Sequence, residues 1–391
     1  MARLQIYDPR ERALVTIADA ALAPLRWFRR RPARGAPIGR VLLLRLERIG
    51  DLLMVQRAID DARAMWPEAW IDLAVGSWNE SLARLFPGLN DVLVADAPWL
   101  ARDGRASWSA LVGRARAWQA RQYDVVVNFE PDIRTNFLAW LTRAPRRVGY
   151  WTGGGGAFLT DATAYAPKSH VAENARRLVA KAAGRDAIAD PARGRPVPLA
   201  PPPDAVERAA AIVAGAARPL VGVHASGGRE SKQWHLDRFA AVARRLARER
   251  RATIVLTGSP ADRAMVDEVR QGLDDVPVID AAGALDLPTL AALLGRLDVL
   301  VTSDTGPMHL ASAMGTPVVA LFGPSHVERY GPLAARQRIL RVDLWCSPCG
   351  RVRMPPERCR GHVPDCMDAI AVDPVVRAAI ELLDEPRGQA G

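Results

Sequence analysis

Short apolar runs rich in Val, Ile and Leu alternate with stretches of helical period along most of this chain, which leaves it few architectures. From Arg40 onward VLLLRL, WIDLAVG, DVLVAD, YDVVVNF and RRVGY read as strands, with GDLLMVQRAIDDARAMWP, SLARLF and TNFLAWLTRA as helices between them. A second series starts at Pro219, with PLVGVHAS, ATIVLTGS, PVIDAAG and the run Val299 to Thr302 as strands. Its helices are LDRFAAVARRLARER, PADRAMVDEVRQGL and LPTLAALLGRL. Strand–helix–strand succession joins neighbours in parallel, so each series predicts a doubly wound sheet. At 391 residues the chain also exceeds one typical core. The expected fold is α/β: two Rossmann-like domains facing each other across a cleft, with ligands at the C-terminal strand ends.

The boundaries read as a basic N-terminal extension over 1–37, a first Rossmann-like domain over 38–190 and a Pro- and Ala-rich linker region over 191–218. A second Rossmann-like domain follows over 219–345, and then a Cys-containing segment with a final helix over 346–391. WTGGGGA at 151–157 reads as a flexible loop able to reshape around a ligand.

A hydrophobic share of 49% and a charged share of 25% are those of a soluble globular protein. No apolar run reaches the roughly 18–20 residues of a membrane span, and no signal-peptide pattern opens the chain, so the expected location is the cytoplasm. A net charge of +10 favours anionic partners. The charge is dispersed, aromatics are only 6% and no nucleic-acid-binding motif occurs, which argues against nucleic acid. Only Lys168, Lys181 and Lys232 are lysines against fifty arginines, so a retained ammonium is informative. Residues 1–35 hold eight arginines against three acids, and an apolar helical portion there runs into Trp27 and Phe28. That segment reads either as a contact for an anionic membrane surface or as a packed or frayed helix with a solvated basic tail.

VLVTSDTGPMHLASAMGTPVVALFGPS at 299–325 joins a buried strand, a polar turn and a helix start with proline at its first position. Ser303, Asp304 and Thr305 offer N-cap oxygens, and the free N–H groups of such a helix meet anions such as phosphate. His309 on that helix either packs locally or touches the phosphate. After the strand at 219–226, Ser226, Gly227 and Gly228 form a loop able to approach a phosphate, and Lys232 brings a compact charge suited to a diphosphate or stands free in solvent. Asp262 in LTGSPAD either bonds ribose hydroxyls or caps a helix. In the first domain Asp51 follows Gly50 at a helix start. It is an N-cap partner, or a general base placed to take a proton from an attacking hydroxyl. Cys346, Cys349, Cys359 and Cys366 follow C-x2-C-x9-C-x6-C, open to a structural metal site or to buried or redox-active thiols.

These motifs, in this order, resemble the heptosyltransferases of lipopolysaccharide assembly, the family 9 glycosyltransferases of GT-B fold. The resemblance runs from about Val41 to Ile370 and rests on RIGD (48–51), RRVGY (146–150), SKQW (231–234), LTGSPAD (256–262), the block 280–325 and the CSPC…C…CM tail. It implies inverting transfer of a heptose from an ADP-heptose donor to a lipid-linked lipopolysaccharide core acceptor, with no required cofactor or metal. The 38–190 domain is then the acceptor side and 219–345 the nucleotide-sugar side. By the same resemblance Asp51 is the catalytic base and Lys232 contacts the donor diphosphate. Asp304, Thr305, Gly306, Pro307 and His309 form the donor-binding turn, with Ser226 and Asp262 beside it; many members carry glutamate at the Asp262 position. The expected location stays the cytoplasm, peripheral on the inner face of the inner membrane where the basic N-terminal segment is read as a lipid contact. The alternatives are a GT-B glycosyltransferase or epimerase using another nucleotide sugar, and a non-catalytic, membrane-associated nucleotide-binding protein.

Overall fold

The computed structural model describes residues 4–6, 8–28, 37–101, 106–185 and 198–386. The chain divides into two compact units, Met1–Val197 and Pro198–Gly391. In the first, β1 (Arg40–Leu44), β2 (Trp70–Val75), β3 (Asp91–Val94), β4 (Val125–Asn128), β5 (Arg146–Tyr150) and β6 (Asp161–Thr163) form one sheet. Their order is β3-β2-β1-β4-β5-β6, and every pairing is parallel. Leu44 at the end of β1 registers with Ala74 on one side and Asn128 on the other. The order therefore reverses between β1 and β4.

The second unit repeats the plan with β7 (Leu220–His224), β8 (Thr253–Thr257), β9 (Val278–Asp280), β10 (Val299–Ser303), β11 (Val318–Leu321) and β12 (Gln337–Leu340). Here the order is β12-β11-β10-β7-β8-β9, again all parallel, and it reverses between β7 and β10. These two Rossmann-like units are the expected α/β class, and each switch point is where such sheets bind ligands.

Apolar alternation on the strands builds each core. Leu42, Leu44 and Val126 pack with Trp118 and Leu138 in the first unit. In the second, Val221, Val223, Val299 and Val301 pack with Trp234, Phe239 and Leu246. Trp234 is fully buried edge-on to Phe239, and its Nε1 donates to the Ile370 carbonyl at 3.1 Å. The C-terminal helix Val372–Asp384 adds Val375, Val376 and Leu382 to this same core, so the last segment completes the second unit.

Several expectations change. Residues 203–212, read as linker, form a helix with Pro203 at its start that packs on the helix Leu287–Leu294, where Arg208 Nε donates to Thr289 Oγ1 at 3.0 Å. Ala205 and Ala209 face inward, a small-residue stripe that the Pro/Ala composition disguised. Linker residues 191–197 lie outside the described residues, as does the arginine-rich run 29–36 of the N-terminal extension. The earlier part of that extension is a helix, Pro9–Leu22, capped by the Asp8 carboxylate on the Arg10 and Glu11 amides. It buries Val15, while the Asp19 carboxylate accepts from Gly155 N–H at 2.6 Å and Gln5 N–H donates to Thr152 O at 2.7 Å.

The glycine-rich stretch 151–157 is not a loose loop. Thr152 through Leu159 are buried, and Asn136 Nδ2 holds the Tyr150 and Gly154 carbonyls at 2.9 and 2.8 Å. Glycine is needed for close approach: a Cβ at Gly153 would stand 1.7 Å from the Pro131 carbonyl oxygen, and Gly154 at φ +90 lies beneath Val15. Gly153→Ala is therefore expected to cost about 2 kcal/mol and lower the thermal unfolding midpoint of the full chain by roughly 4–8 °C. An unchanged midpoint would show that the loop yields after all.

Candidate active site

In the second unit the chain leaves β10 through Ser303, Asp304 and Thr305 and enters the helix Gly306–Ala313, with Pro307 in its first turn and His309 buried on it. The expected N-cap oxygens do not cap this helix. Thr305 occupies the N-cap position in extended backbone (φ −143, ψ 172) with no side-chain bond to the helix, and its Oγ1 instead lies 3.3 Å from Thr302 Oγ1. Ser303 Oγ is buried without a partner. The Asp304 carboxylate points to Lys232. Leaving the N-terminal amides uncapped keeps them open to an anion from outside.

Lys232 closes a short 3-10 turn, Glu230–Lys232, after β7. Its Nζ donates to the Asp304 carbonyl and lies 3.4 Å from Asp304 Oδ2, with the lysine side chain 17% exposed. The solvent-facing alternative is thereby removed. Gln233, directly after the turn, ties it to the segment upstream: its Oε1 accepts from Gly227 N–H at 2.7 Å while its Nε2 donates to Ala225 O at 2.7 Å. A Cβ at Gly227 would stand 2.7 Å from the Lys232 carbonyl, so the glycine lets two backbone segments touch. Downstream, buried Trp234 anchors it in the core.

Ser226 and Gly228 close the loop, with Gly228 N–H donating to Ser226 Oγ at 3.2 Å. Asp262 sits beside them as a helix cap: its Oδ2 accepts from Ser259 N–H at 2.8 Å and from Ser259 Oγ at 2.6 Å. Burial raises the Asp262 carboxyl, but hydrogen bonds from Ser259 and Ser226 outweigh it and leave the group below the usual carboxylate range. His224, at the end of β7 and not singled out in the sequence, is buried with Nδ1 3.2 Å from Thr257 Oγ1, and burial pulls its pKa down, favouring the neutral ring.

In the first unit Asp51 lies in the first turn of the helix Ile49–Leu53, which begins just beyond β1. Its carboxylate is 24% exposed and does not cap; Arg48 holds the N-cap position. Two residues that sequence reasoning missed complete this end of the sheet. Buried Arg45 donates from Nη2 to Asp51 Oδ1 and from Nε to Asp51 O, both at 3.2 Å, and from Nη1 to Phe129 O at 3.0 Å. Burial works against its charge, but the Asp51 carboxylate, and next Glu47, more than restore it. Buried Glu130 follows β4, and its Oε1 accepts from Leu46 N–H and, at 3.1 Å, from Glu47 N–H. The only sequence signal was an acid directly after an apolar strand. Beside Arg48 a cavity of about 440 Å³ is lined by Trp78, Ser77, Asp96, Leu111 and Arg114.

The four cysteines are free and line one small cavity of about 20 Å³ together with Ser231. Among the described residues no group of three or more His, Cys, Asp or Glu side chains is arranged as a metal-ligand set. Burial and the neighbouring Cys349 and Cys359 push the Cys366 thiol up to about 11. The loop braces the Lys232 turn, since Ser231 Oγ donates to Val352 O at 3.2 Å and Gly361 N–H to Glu230 Oε1 at 2.7 Å.

Residues 114–357, more than half the chain, match the sequence family described as "Glycosyltransferase family 9 (heptosyltransferase)". Lipopolysaccharide heptosyltransferase 2 of Salmonella typhimurium is 24% identical over 315 residues, covering 78% of this chain and 88% of the relative. Among solved structures, a family 9 glycosyl transferase from Veillonella parvula superposes with a TM-score of 0.77 at 25% identity, over 90% of this chain and 99% of that one. The E. coli ADP-heptose lipopolysaccharide heptosyltransferase II gives a TM-score of 0.70 at 20% identity, over 88% and 98% of the two chains.

Burial, and next the Glu47 carboxylate, push the Glu130 carboxyl from its ordinary 4.5 up to about 8. Between those values the folded chain holds a proton that the unfolded chain has released, so stability falls as pH rises through the window. Glu130→Gln removes that loss. In urea unfolding the variant is expected to gain on the parent steadily from pH 4.5 to pH 8; a constant difference would mean that Glu130 is ionised in the fold.

Proposed function

The chain belongs to glycosyltransferase family 9, the heptosyltransferases, and from that premise we propose that it moves a heptose from an ADP-heptose donor to a lipopolysaccharide core acceptor by single inverting displacement. The observation that carries the reading is the pairing of Lys232 with Asp304 beside an uncapped helix N-terminus at a sheet switch point. A diphosphate bears charge before the bond breaks and gains more as it leaves, so an ammonium and preorganised amides serve both binding and rate. Ser226 and Asp262 complete the donor side.

On the acceptor side the attacking hydroxyl must lose its proton as its oxygen bonds to the anomeric carbon and the bond to the diphosphate breaks. Asp51 takes that proton, and ADP departs with the electron pair of the broken bond. No metal is assigned to the step, because Lys232 and the Gly306–Ala313 amides meet the leaving charge. The 440 Å³ cavity beside Arg48, the N-cap residue of the Asp51 helix, offers room for a further part of the acceptor, with the Trp78 ring 5.5 Å beneath the Arg48 guanidinium. Among the described residues no helix is long and apolar enough to cross a membrane. A lipid-linked acceptor would place the enzyme at the inner face of the inner membrane. There Leu14 and Ile17, exposed on the Pro9–Leu22 helix, and the adjoining arginines would meet anionic headgroups.

Asp51→Asn is expected to leave ADP affinity, read by calorimetry, within about twofold while lowering turnover by roughly 10²–10⁴, the usual yield of general base catalysis. Parental turnover in that variant would end the assignment. Lys232→Ala is expected to weaken ADP binding and turnover together, because the ammonium meets charge in both states. Thermal shifts across ADP-, GDP- and UDP-sugars test the donor, since a ligand bound only by the folded chain raises its midpoint. A larger shift with a UDP- or GDP-sugar would assign another donor.

A further inference from the structure

We infer that Glu130 is a positioning residue for Asp51: its buried carboxyl holds the exit of β1 in place, and from that exit Arg45 grips the Asp51 carboxylate. The inference rests on the reading of Asp51 as base. The path is short and continuous. One Glu130 oxygen takes the Leu46 and Glu47 amides, the two that follow Arg45 directly. Asn128 secures Glu130 itself, with Oδ1 accepting from Glu130 N–H and Nδ2 donating to Glu130 O, both at 3.1 Å. On the other flank Asn79 Nδ2 and Trp78 Nε1 donate to Glu47 O at 2.6 and 3.0 Å. The segment between β1 and the Asp51 helix is therefore clamped from the β4 side and the β2 side at once. Arg45, thus fixed, spans from Phe129 O to Asp51.

A glutamine would accept from the same two amides without the loss of stability that a raised carboxyl brings at neutral pH. What the acid adds is a titratable neighbour for Arg45. Facing Glu130 are Arg45 and Glu47 from the β1 exit and Asp132 from the loop after β4, while Asp51 and Tyr165 face Arg45. With Glu130 protonated, Arg45 keeps its grip on Asp51. Ionisation adds a second negative charge near the same guanidinium, beyond hydrogen-bond reach, so that Asp51 no longer holds Arg45 alone. Turnover then falls as pH rises through the Glu130 titration, while ADP affinity, set in the other unit, holds steady.

The test is steady-state transfer by the full chain, with ADP-heptose and a delipidated core acceptor, across the neutral and alkaline range, alongside ADP calorimetry. Glu130→Ala is expected to lower kcat about tenfold or more at neutral pH with ADP affinity unchanged, as misplacement of a reacting group does. Glu130→Gln is expected to recover most of that loss and to abolish the alkaline fall. Because the glutamine variant keeps the clamp, it remains decisive if the alanine variant does not fold. A Glu130→Gln enzyme with the parental alkaline fall, or with no recovery at neutral pH, overturns the inference. Parental turnover in Asp51→Asn would overturn the base assignment instead, so the two failures are distinct.

Discussion

Strand order in each sheet reverses between two adjacent parallel strands, β1 and β4 in one unit and β7 and β10 in the other. Chains leaving those strands run in opposite directions across the sheet faces, and the gap between them is open to a ligand. The reacting and phosphate-facing groups of the proposal gather after these four strands, with Asp262 added from the turn after β8. Arg45 and Asp51 come after β1, Glu130 after β4, the 226–232 loop after β7 and the 304–309 turn after β10. The sheets thus decide where reactive groups can stand before any particular group is chosen.

At both places charge is held under restraint. Burying an ion is costly unless it is paired and hydrogen-bonded. Lys232 is held against an Asp304 carbonyl and carboxylate, and Arg45 against Asp51 and the Phe129 carbonyl. These contacts hold long side chains in place before any ligand arrives, which lowers the ordering cost of binding. The neighbouring elements share in the restraint. Trp234 pins one end of the lysine turn, and the cysteine-bearing loop pins the other through Val352 and Gly361.

The strands and most helices were legible because their apolar runs are long and bounded by Gly, Pro or Asp. So were the turns, since GD, SGG and DTGP each interrupt such a run. Asp51 and Lys232 could be named because one follows a glycine at a helix start and the other is one of three lysines. The rest lay in contacts between residues far apart in sequence. Glu130 acts on residues 84 and 83 positions earlier, which no local pattern reports. The glycines at 153–155 suggested freedom, but their cause is the Pro131 carbonyl and the Val15 side chain. The Ala-rich helix 203–212 was hidden by prolines that precede it and supply its first turn. The C-x2-C spacing carried no hint that this loop braces the Lys232 turn through Val352 and Gly361.

The scarcity of lysine has a practical side. Reagents that acylate primary amines ignore guanidinium groups, so the fifty arginines are silent to them and, among side chains, only Lys168, Lys181 and Lys232 can respond. Of these, Lys232 is mostly covered and already engaged by Asp304. Its labelling rate would serve as a near-single-site gauge of how often that contact opens, readable by mass spectrometry on unmodified protein.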